Sequence, residues 1–132
     1  MERGPEPLTD QDRGLRRYEL SSSLDDLRGS TVAAESYAIA AEVFGQSVEL
    51  LLLQRGKWLG KGKWAIRRLD QLTDDECAVA LRDWAASPER SPERLILVAA
   101  KVLEGSGGYL MEGFLRGSRQ GPGTPLPGST PD

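Results

Sequence analysis

The residues best suited to bind a ligand lie in one basic segment, residues 54–68. It combines six lysines and arginines with two tryptophans and three glycines, and it contains no acidic residue. Lysine and arginine make charge-assisted hydrogen bonds to phosphates, and tryptophan stacks on bases or covers lysine stems. The structural alternative is a solvated turn whose tryptophans pack against the end of the fold. The candidate ligand- or phosphate-binding residues are Arg55, Lys57, Trp58, Lys61, Lys63, Arg67 and Arg68.

Carboxylates and the single thiol are the other groups that could do chemistry. Glutamates at positions 35, 42 and 49 are spaced by seven residues, so they form one stripe along a helix. Glu42 and Glu49 are the candidate catalytic carboxylates, and the alternative is a solvated or helix-contact stripe. The chain has no histidine and one cysteine, Cys77, which excludes Cys–His dyads, internal disulfides and Cys₂ or Cys₄ zinc patterns. We expect no metal and no cofactor, and a structural role for Cys77.

Charge and hydropathy limit the kinds of partner. The basic segment lies in a chain whose net charge is −3, so its electrostatic footprint is small and a small anionic ligand such as a nucleotide is favoured over nucleic acid. The apolar block Val48–Leu53 is far shorter than the ~20 residues of a membrane span. Residues 1–7 have no signal-peptide pattern. We therefore expect a cytoplasmic protein that does not enter a membrane.

Helices must position these residues, because no stretch shows the sustained alternation of a strand. The second predicted helix is apolar on almost all sides and is expected to lie at the centre, with Tyr37, Phe44 and Leu51 on one face. Trp64 is expected to pack inward near Ile66 and Leu69. The first predicted helix runs from Thr9 or Asp10 to about Arg28, and the second from Ser30 or Thr31 to about Gln54. The third runs from about Lys63 to Gln71, the fourth from a capping box at Thr73 through Trp84, and the fifth from Ser91 to Gly105.

This pattern predicts an all-α fold, an up-and-down bundle of about five helices. The bundle occupies residues 9–116, and its last helical turns cover Tyr109–Arg116. Residues 1–8 and the glycine- and proline-rich tail 117–132 are expected to be disordered, because they bury too little apolar surface to offset backbone ordering. Gly105–Gly108 is expected to kink the chain rather than to cradle a phosphate, since no strand and no P-loop lysine precede it.

Residues 50–69 resemble part of a known family. Leu50–Leu53, Arg55 and Trp58, followed by Lys63-Trp64 and Arg67-Arg68-Leu69, are similar to the C-terminal helical bundle of nucleotidyltransferase-fold proteins of the kanamycin nucleotidyltransferase-like group. A fainter match runs from Val102-Leu103 through Gly107-Gly108 to Glu112-Gly113. The resemblance extends over roughly residues 15–116.

The chain departs from that family where catalysis would reside. The family's catalytic domain carries Gly-Ser at a strand end followed by Asp-x-Asp or Asp-x-Glu, which holds magnesium. Gly29-Ser30 is followed only by Glu35 and Glu42 on a predicted helix. The related HEPN ribonuclease bundles need an arginine followed by a histidine, which a histidine-free chain does not have.

The resemblance thus implies a bundle without its catalytic half, and no enzyme activity of its own. It would bind substrate or partner and work with a separate catalytic nucleotidyltransferase subunit, or be a remnant of a two-domain enzyme. In the two-domain relatives a carboxylate of the bundle assists deprotonation of the acceptor hydroxyl, and Glu42 or Glu49 is its counterpart here. The alternative is a helical interaction module that forms a homo-oligomer and has no small ligand. A third hypothesis is a small nucleic-acid-associated regulator that uses the basic segment.

Overall fold

Five α-helices form the up-and-down bundle that the sequence predicts, in a computed structural model that describes residues 9–108. The predictions for residues 1–8 and 109–132, including the disordered ends and the last turns Tyr109–Arg116, lie outside the described residues. The helices are α1 (Asp10–Gly29), α2 (Ala33–Gln54), α3 (Lys63–Asp70), α4 (Glu76–Ala86) and α5 (Pro92–Ser106).

The first and last of these helices begin where local sequence predicts. The Thr9 hydroxyl accepts a hydrogen bond from the Asp12 N–H at 3.0 Å, and the Ser91 hydroxyl accepts one from the Arg94 N–H at 3.3 Å. Pro92 occupies the first turn of α5, where its missing N–H costs nothing. These ends depend only on neighbours in sequence.

Two predicted helix starts were wrong. Thr73 does not cap α4, because residues 72–75 form a turn and the Asp75 carboxylate accepts the Ala78 N–H instead, at 3.0 Å. Neither Ser30 nor Thr31 caps α2, which begins at Ala33 without a side-chain cap. The N–H of Ser30 instead donates to the Leu27 carbonyl and ends α1.

The central position of α2 is confirmed, since it contacts each of the other four helices. Its buried side chains start at Ala40, however, and Tyr37 is 72% exposed although it was predicted on the core face. Of the four helices that pack on the 22 residues of α2, only α1, with 20, is similar in length, and α3, α4 and α5 have 8, 11 and 15. Residues 33–38 of α2 are not buried, so its first turns lie outside the core.

The apolar composition of α2 also bears on the membrane prediction. Within residues 9–108, α2 is the one helix that is long and apolar enough to cross a membrane, judged by length and composition alone. The core helix of a helical bundle has the same composition, and Leu50, Leu51 and Leu52 of α2 are fully or almost fully buried among the other helices. The cytoplasmic location stays a prediction.

The kink predicted at Gly105–Gly108 was wrong, because Gly105 lies inside α5 and Gly107 and Gly108 end the helix. Gly107 has a φ of 120°, and the Gly108 N–H donates to the Leu103 carbonyl at 2.7 Å, a left-handed helix ending that favours glycine. The Arg17 guanidinium of α1 donates to the carbonyls of Gly107 and Gly108 at 2.8 and 3.0 Å. Arg17 thereby ties α1 to the end of α5.

Candidate ligand-binding groove

Three glycines shape the loop that joins α2 to α3. Gly56, with a φ of 69°, turns the chain just after α2, and Gly62, with a φ of 57°, precedes α3. A Cβ on Gly60 would lie 2.8 Å from the backbone carbonyl carbon of Trp64, so only glycine lets the loop pass over the first turn of α3. The loop thereby carries Lys61 back to the side of α2.

A groove of about 460 Å³ separates this loop from α2. Its α2 wall carries Glu42, Gln46 and Glu49, which are spaced by four and three residues and so share one helix face. Gly45 lies between them and has no side chain to fill the space. The opposite wall consists of Gly60, Lys61, Gly62, Ala65 and Ile66.

The groove places one cation opposite a row of hydrogen-bond acceptors. Glu49 forms an ion pair with Arg16 of α1, with 2.5 Å between the carboxylate oxygen and the guanidinium nitrogen. The side chains of Glu42 and Lys61 are exposed, and neither side chain has a hydrogen-bond or ion-pair partner within residues 9–108. The Oε1 atom of Gln46 is buried and has no donor in the same part of the chain. A ligand could therefore offer an anionic group to Lys61 and hydroxyl or amine groups to the α2 wall.

Arg55 is predicted to bind the ligand, yet its guanidinium is already engaged. It pairs with the carboxylate of Asp75 and also donates to Oε1 of Gln54 at 3.1 Å. Burial would raise the pKa of Asp75, but the hydrogen bonds from Arg55 and from the Ala78 N–H outweigh it, and the pKa of Asp75 lies below its ordinary 3.8. Arg55 thus holds α2 to α4.

None of the remaining predicted residues lines the groove, and two of them, Lys63 and Arg67, lie beside the ring of Trp64 on α3. The guanidinium carbon of Arg67 is 4.8 Å and Nζ of Lys63 is 6.0 Å from the centroid of the Trp64 ring. Lys57 and Trp58 are exposed in the loop. Arg68 is half-buried on α3, and its Nε is buried without an acceptor within residues 9–108.

The inward packing predicted for Trp64 is wrong, because its side chain is 50% exposed. Ala65 and Leu69 are the buried residues of α3, which places the ring of Trp64 on the outer face of this short helix. Trp58 is similarly exposed at 44%. Both tryptophans of the basic segment are therefore accessible from solvent.

Sequence reasoning missed Gly45 and Gln46, which line the groove, and Arg16, which pairs with Glu49 of its wall. Gln46 follows Glu42 by four residues and precedes Glu49 by three, so helical spacing alone could have placed it on their face. A glycine inside an otherwise strong helix is also a signal, because it costs about 0.5–1 kcal/mol relative to alanine. The pairing of Arg16 with Glu49 depends on how α1 packs on α2, and no local pattern indicates it.

Between residues 9 and 108, Cys77 and the acidic residues show no feature of a reactive or metal site. Burial raises the pKa of the Cys77 thiol, and the nearby Asp75 carboxylate raises it further, so the thiolate is disfavoured. From residue 9 to residue 108, no group of three or more cysteine, aspartate or glutamate side chains could hold a metal ion.

The chain matches no protein-family model, no curated protein and no solved structure.

Proposed function

We propose that this chain is a non-catalytic helical domain that binds a small phosphate-bearing ligand in the groove between α2 and the basic loop. The proposal follows the resemblance to the substrate- and partner-binding bundle of nucleotidyltransferases and assigns the chain a separate catalytic nucleotidyltransferase subunit. One observation carries it: Lys61 lies in the same groove as Glu42, Gln46 and Glu49.

The two walls suit the two halves of a nucleotide. Lys61 would make charge-assisted hydrogen bonds to a phosphate, and Glu42 and Gln46 would accept hydrogen bonds from sugar hydroxyls. Glu49 repels an anion less than a lone carboxylate would, because Arg16 compensates its charge. The exposed side chains of Lys57, Trp58 and Lys63 would extend the contact outside the groove.

Glu42 is the better of the two candidates for the carboxylate that assists an acceptor hydroxyl. The resemblance implies such a group in the bundle, and it must be able to accept a proton or a hydrogen bond from the substrate. Glu49 is held by Arg16, whereas Glu42 has no partner within residues 9–108. Chemistry at that hydroxyl would still need the catalytic subunit.

A matched pair of lysine variants tests the ligand. We would titrate ATP by calorimetry into the parent chain, into Lys61→Ala and into Lys101→Ala, an exposed lysine of α5 that does not line the groove. Loss of one charge-assisted contact should weaken binding about tenfold or more in Lys61→Ala and leave Lys101→Ala unchanged. Equal affinity in all three proteins, or no saturable binding to the parent, would refute the proposed ligand.

The catalytic partner needs its own test. We expect a neighbouring gene to encode a protein with Gly-Ser followed by Asp-x-Asp, and the two purified proteins to co-elute as a stoichiometric complex in gel filtration. The Glu42→Gln variant should form the same complex and show a lower rate of nucleotidyl transfer. If the two proteins elute separately at micromolar concentration, the partner part of the proposal fails, while ligand binding is judged by the lysine pair.

A homo-oligomeric interaction module is the second candidate, and the exposed start of α2 favours it. Val32, the residue just before α2, is 50% exposed, and Tyr37 near the start of α2 is 72% exposed. Where such apolar side chains form a contiguous patch, they are typical of surfaces that meet another chain. Sedimentation velocity of the parent chain and of Tyr37→Glu separates the two functions. A dimer that dissociates in the variant supports the module, and a monomer in both cases removes it.

A further inference from the structure

A second, smaller cleft of about 260 Å³ opens between the first half of α2 and the end of α4. Ala41 and Phe44 contribute to both the groove and this cleft, so the two lie on adjacent sides of α2. Lys61 does not line it. The residues that line it are Tyr37, Ala41, Phe44, Trp84, Ala85 and Arg90.

The floor of the cleft is aromatic and rigidly held. The rings of Phe44 and Trp84 stack with their centroids 5.5 Å apart and their planes 26° apart. The indole N–H of Trp84 donates to the Ser91 carbonyl at 2.8 Å, which fixes the ring, and Trp84 is only 5% exposed. Tyr37 stands at the rim, and Ala41 and Ala85 have side chains too small to cover the floor. A planar apolar group can therefore lie against Phe44 and against the small part of Trp84 that reaches the cleft.

Arg90 is the one charged residue that lines this cleft. One of its guanidinium N–H groups lies 3.4 Å from the Ala85 carbonyl, and the others have no acceptor within residues 9–108. Its φ is 43°, a left-handed conformation that favours glycine and disfavours arginine. A guanidinium with free N–H groups beside an aromatic floor is complementary to a carboxylate attached to an aromatic ring.

We propose that this cleft binds a small aromatic carboxylate, with its ring on Phe44 and Trp84 and its carboxylate on Arg90. Its volume is below the ~300–1,000 Å³ of pockets for drug-sized ligands, so one or two fused rings are the appropriate size. The cleft shares Ala41 and Phe44 with the groove but does not include Lys61, and its ligand does not depend on the proposed function. A neutral aromatic compound would contact the same floor but leave Arg90 without its partner.

Indole-3-acetate and the isosteric neutral compound indole-3-acetamide are the probes. Titrations of the ¹⁵N-labelled chain would follow the indole N–H signals of its three tryptophans, each assigned by a tryptophan-to-phenylalanine variant. The Trp84 signal should shift saturably with indole-3-acetate, and the signals of Trp58 and Trp64 should not. The acetamide should bind about tenfold more weakly, because it offers the guanidinium no charge.

A pair of arginine variants separates binding from folding. Arg90→Gly relieves the left-handed backbone strain, so its melting temperature should equal or exceed that of the parent, while its affinity for indole-3-acetate falls about tenfold. Arg94→Gln removes an exposed charge from α5 outside the cleft and should bind as the parent does. Equal affinity for acid and amide, no saturable shift of Trp84 at millimolar ligand, or unchanged binding by Arg90→Gly would each overturn the proposal.

Discussion

Arg55, the residue that follows the last turn of α2, binds the carboxylate of Asp75, the residue that caps α4. These two residues are twenty positions apart and enclose the basic loop and α3. Their ion pair therefore links the two ends of the segment that carries Lys61. Neither residue lines the groove.

Asp75→Asn should lower the free energy of unfolding by about 1 kcal/mol. Asparagine is as good a helix cap as aspartate, so the variant keeps the bond to the Ala78 N–H and loses the charge that Arg55 binds. The figure is modest because Arg55 is 39% exposed and solvent screens the pair. Urea denaturation of Asp75→Asn, Arg55→Gln and the double variant gives the coupling. Strictly additive losses would contradict an interaction between the two residues.

The same pair predicts a pH dependence with a defined sign. Because the folded pKa of Asp75 lies below its ordinary 3.8, its contribution to stability is fully present well above pH 3.8. That contribution is lost as the pH falls below 3.8 through the lowered pKa. The stability difference between the parent and Asp75→Asn should therefore be constant near neutral pH and shrink in acid. A difference that grew on acidification would show that the pKa is raised instead.

Two glycine-to-alanine variants should have opposite effects. A Cβ on Gly45 meets nothing within 4 Å, so Gly45→Ala should stabilise α2 by about 0.5–1 kcal/mol. A Cβ on Gly60 would meet the Trp64 backbone at 2.8 Å, and Gly60→Ala should destabilise the chain. Thermal melts of the two variants beside the parent measure both changes. Equal shifts of the same sign would mean that the loop does not pass over α3 as described.

Leu51→Ala should be more destabilising than Phe44→Ala. Leu51 is fully buried in α2, and removing such a side chain costs about 2–5 kcal/mol. Phe44 is half-buried because it faces both the groove and the cleft, so its loss should cost less than the ~3–5 kcal/mol typical of a fully buried phenylalanine. Chemical denaturation of both variants gives the order. The reverse order would place the bundle axis on the Phe44 side of α2.

Trp64→Ala should cost no more than about 1 kcal/mol, although its sequence position suggested a core residue. The ring is half-exposed, and the Arg67 guanidinium lies over it, a type of interaction worth about 0.5–1 kcal/mol at exposed sites. Alanine keeps the Cβ against which Gly60 packs. The melting temperature checks this, with Leu69→Ala as the buried reference on the same helix. A loss of stability as large as that of Leu69→Ala would mean that Trp64 packs in the core.

Sequence alone predicts the helices where the determinants are local. Thr9 and the Ser91-Pro92 pair fix the starts of α1 and α5 through neighbours three residues away, and apolar periodicity identifies α2 as central. The start of α4 was predicted wrongly at Thr73. Asp75 caps this helix instead, and its carboxylate also binds Arg55, which lies far away in the sequence. A capping pattern at Thr73 does not contain that information.

Local spacing likewise predicts one part of the candidate site, and tertiary contacts determine the other. The seven-residue spacing of Glu42 and Glu49 correctly indicates a shared helix face. That Lys61, rather than Arg55 or Arg67, faces those carboxylates follows from the left-handed Gly62 and the close approach of Gly60 to Trp64. Such loop geometry depends on tertiary contacts, and composition gives only the presence of the charges.

Filling the groove from Gly45 tests the central claim, that this groove is the ligand site. Gly45→Leu projects a side chain into open space on an exposed helix position, so the fold should hold. Ala38→Leu is the matched control, because Ala38 is exposed on the same helix and lines neither cavity. In calorimetric titrations with ATP we expect Gly45→Leu to bind about tenfold more weakly than the parent, a loss of about 1.4 kcal/mol, and Ala38→Leu to bind as the parent does. Undiminished ATP binding by a folded Gly45→Leu would contradict the account.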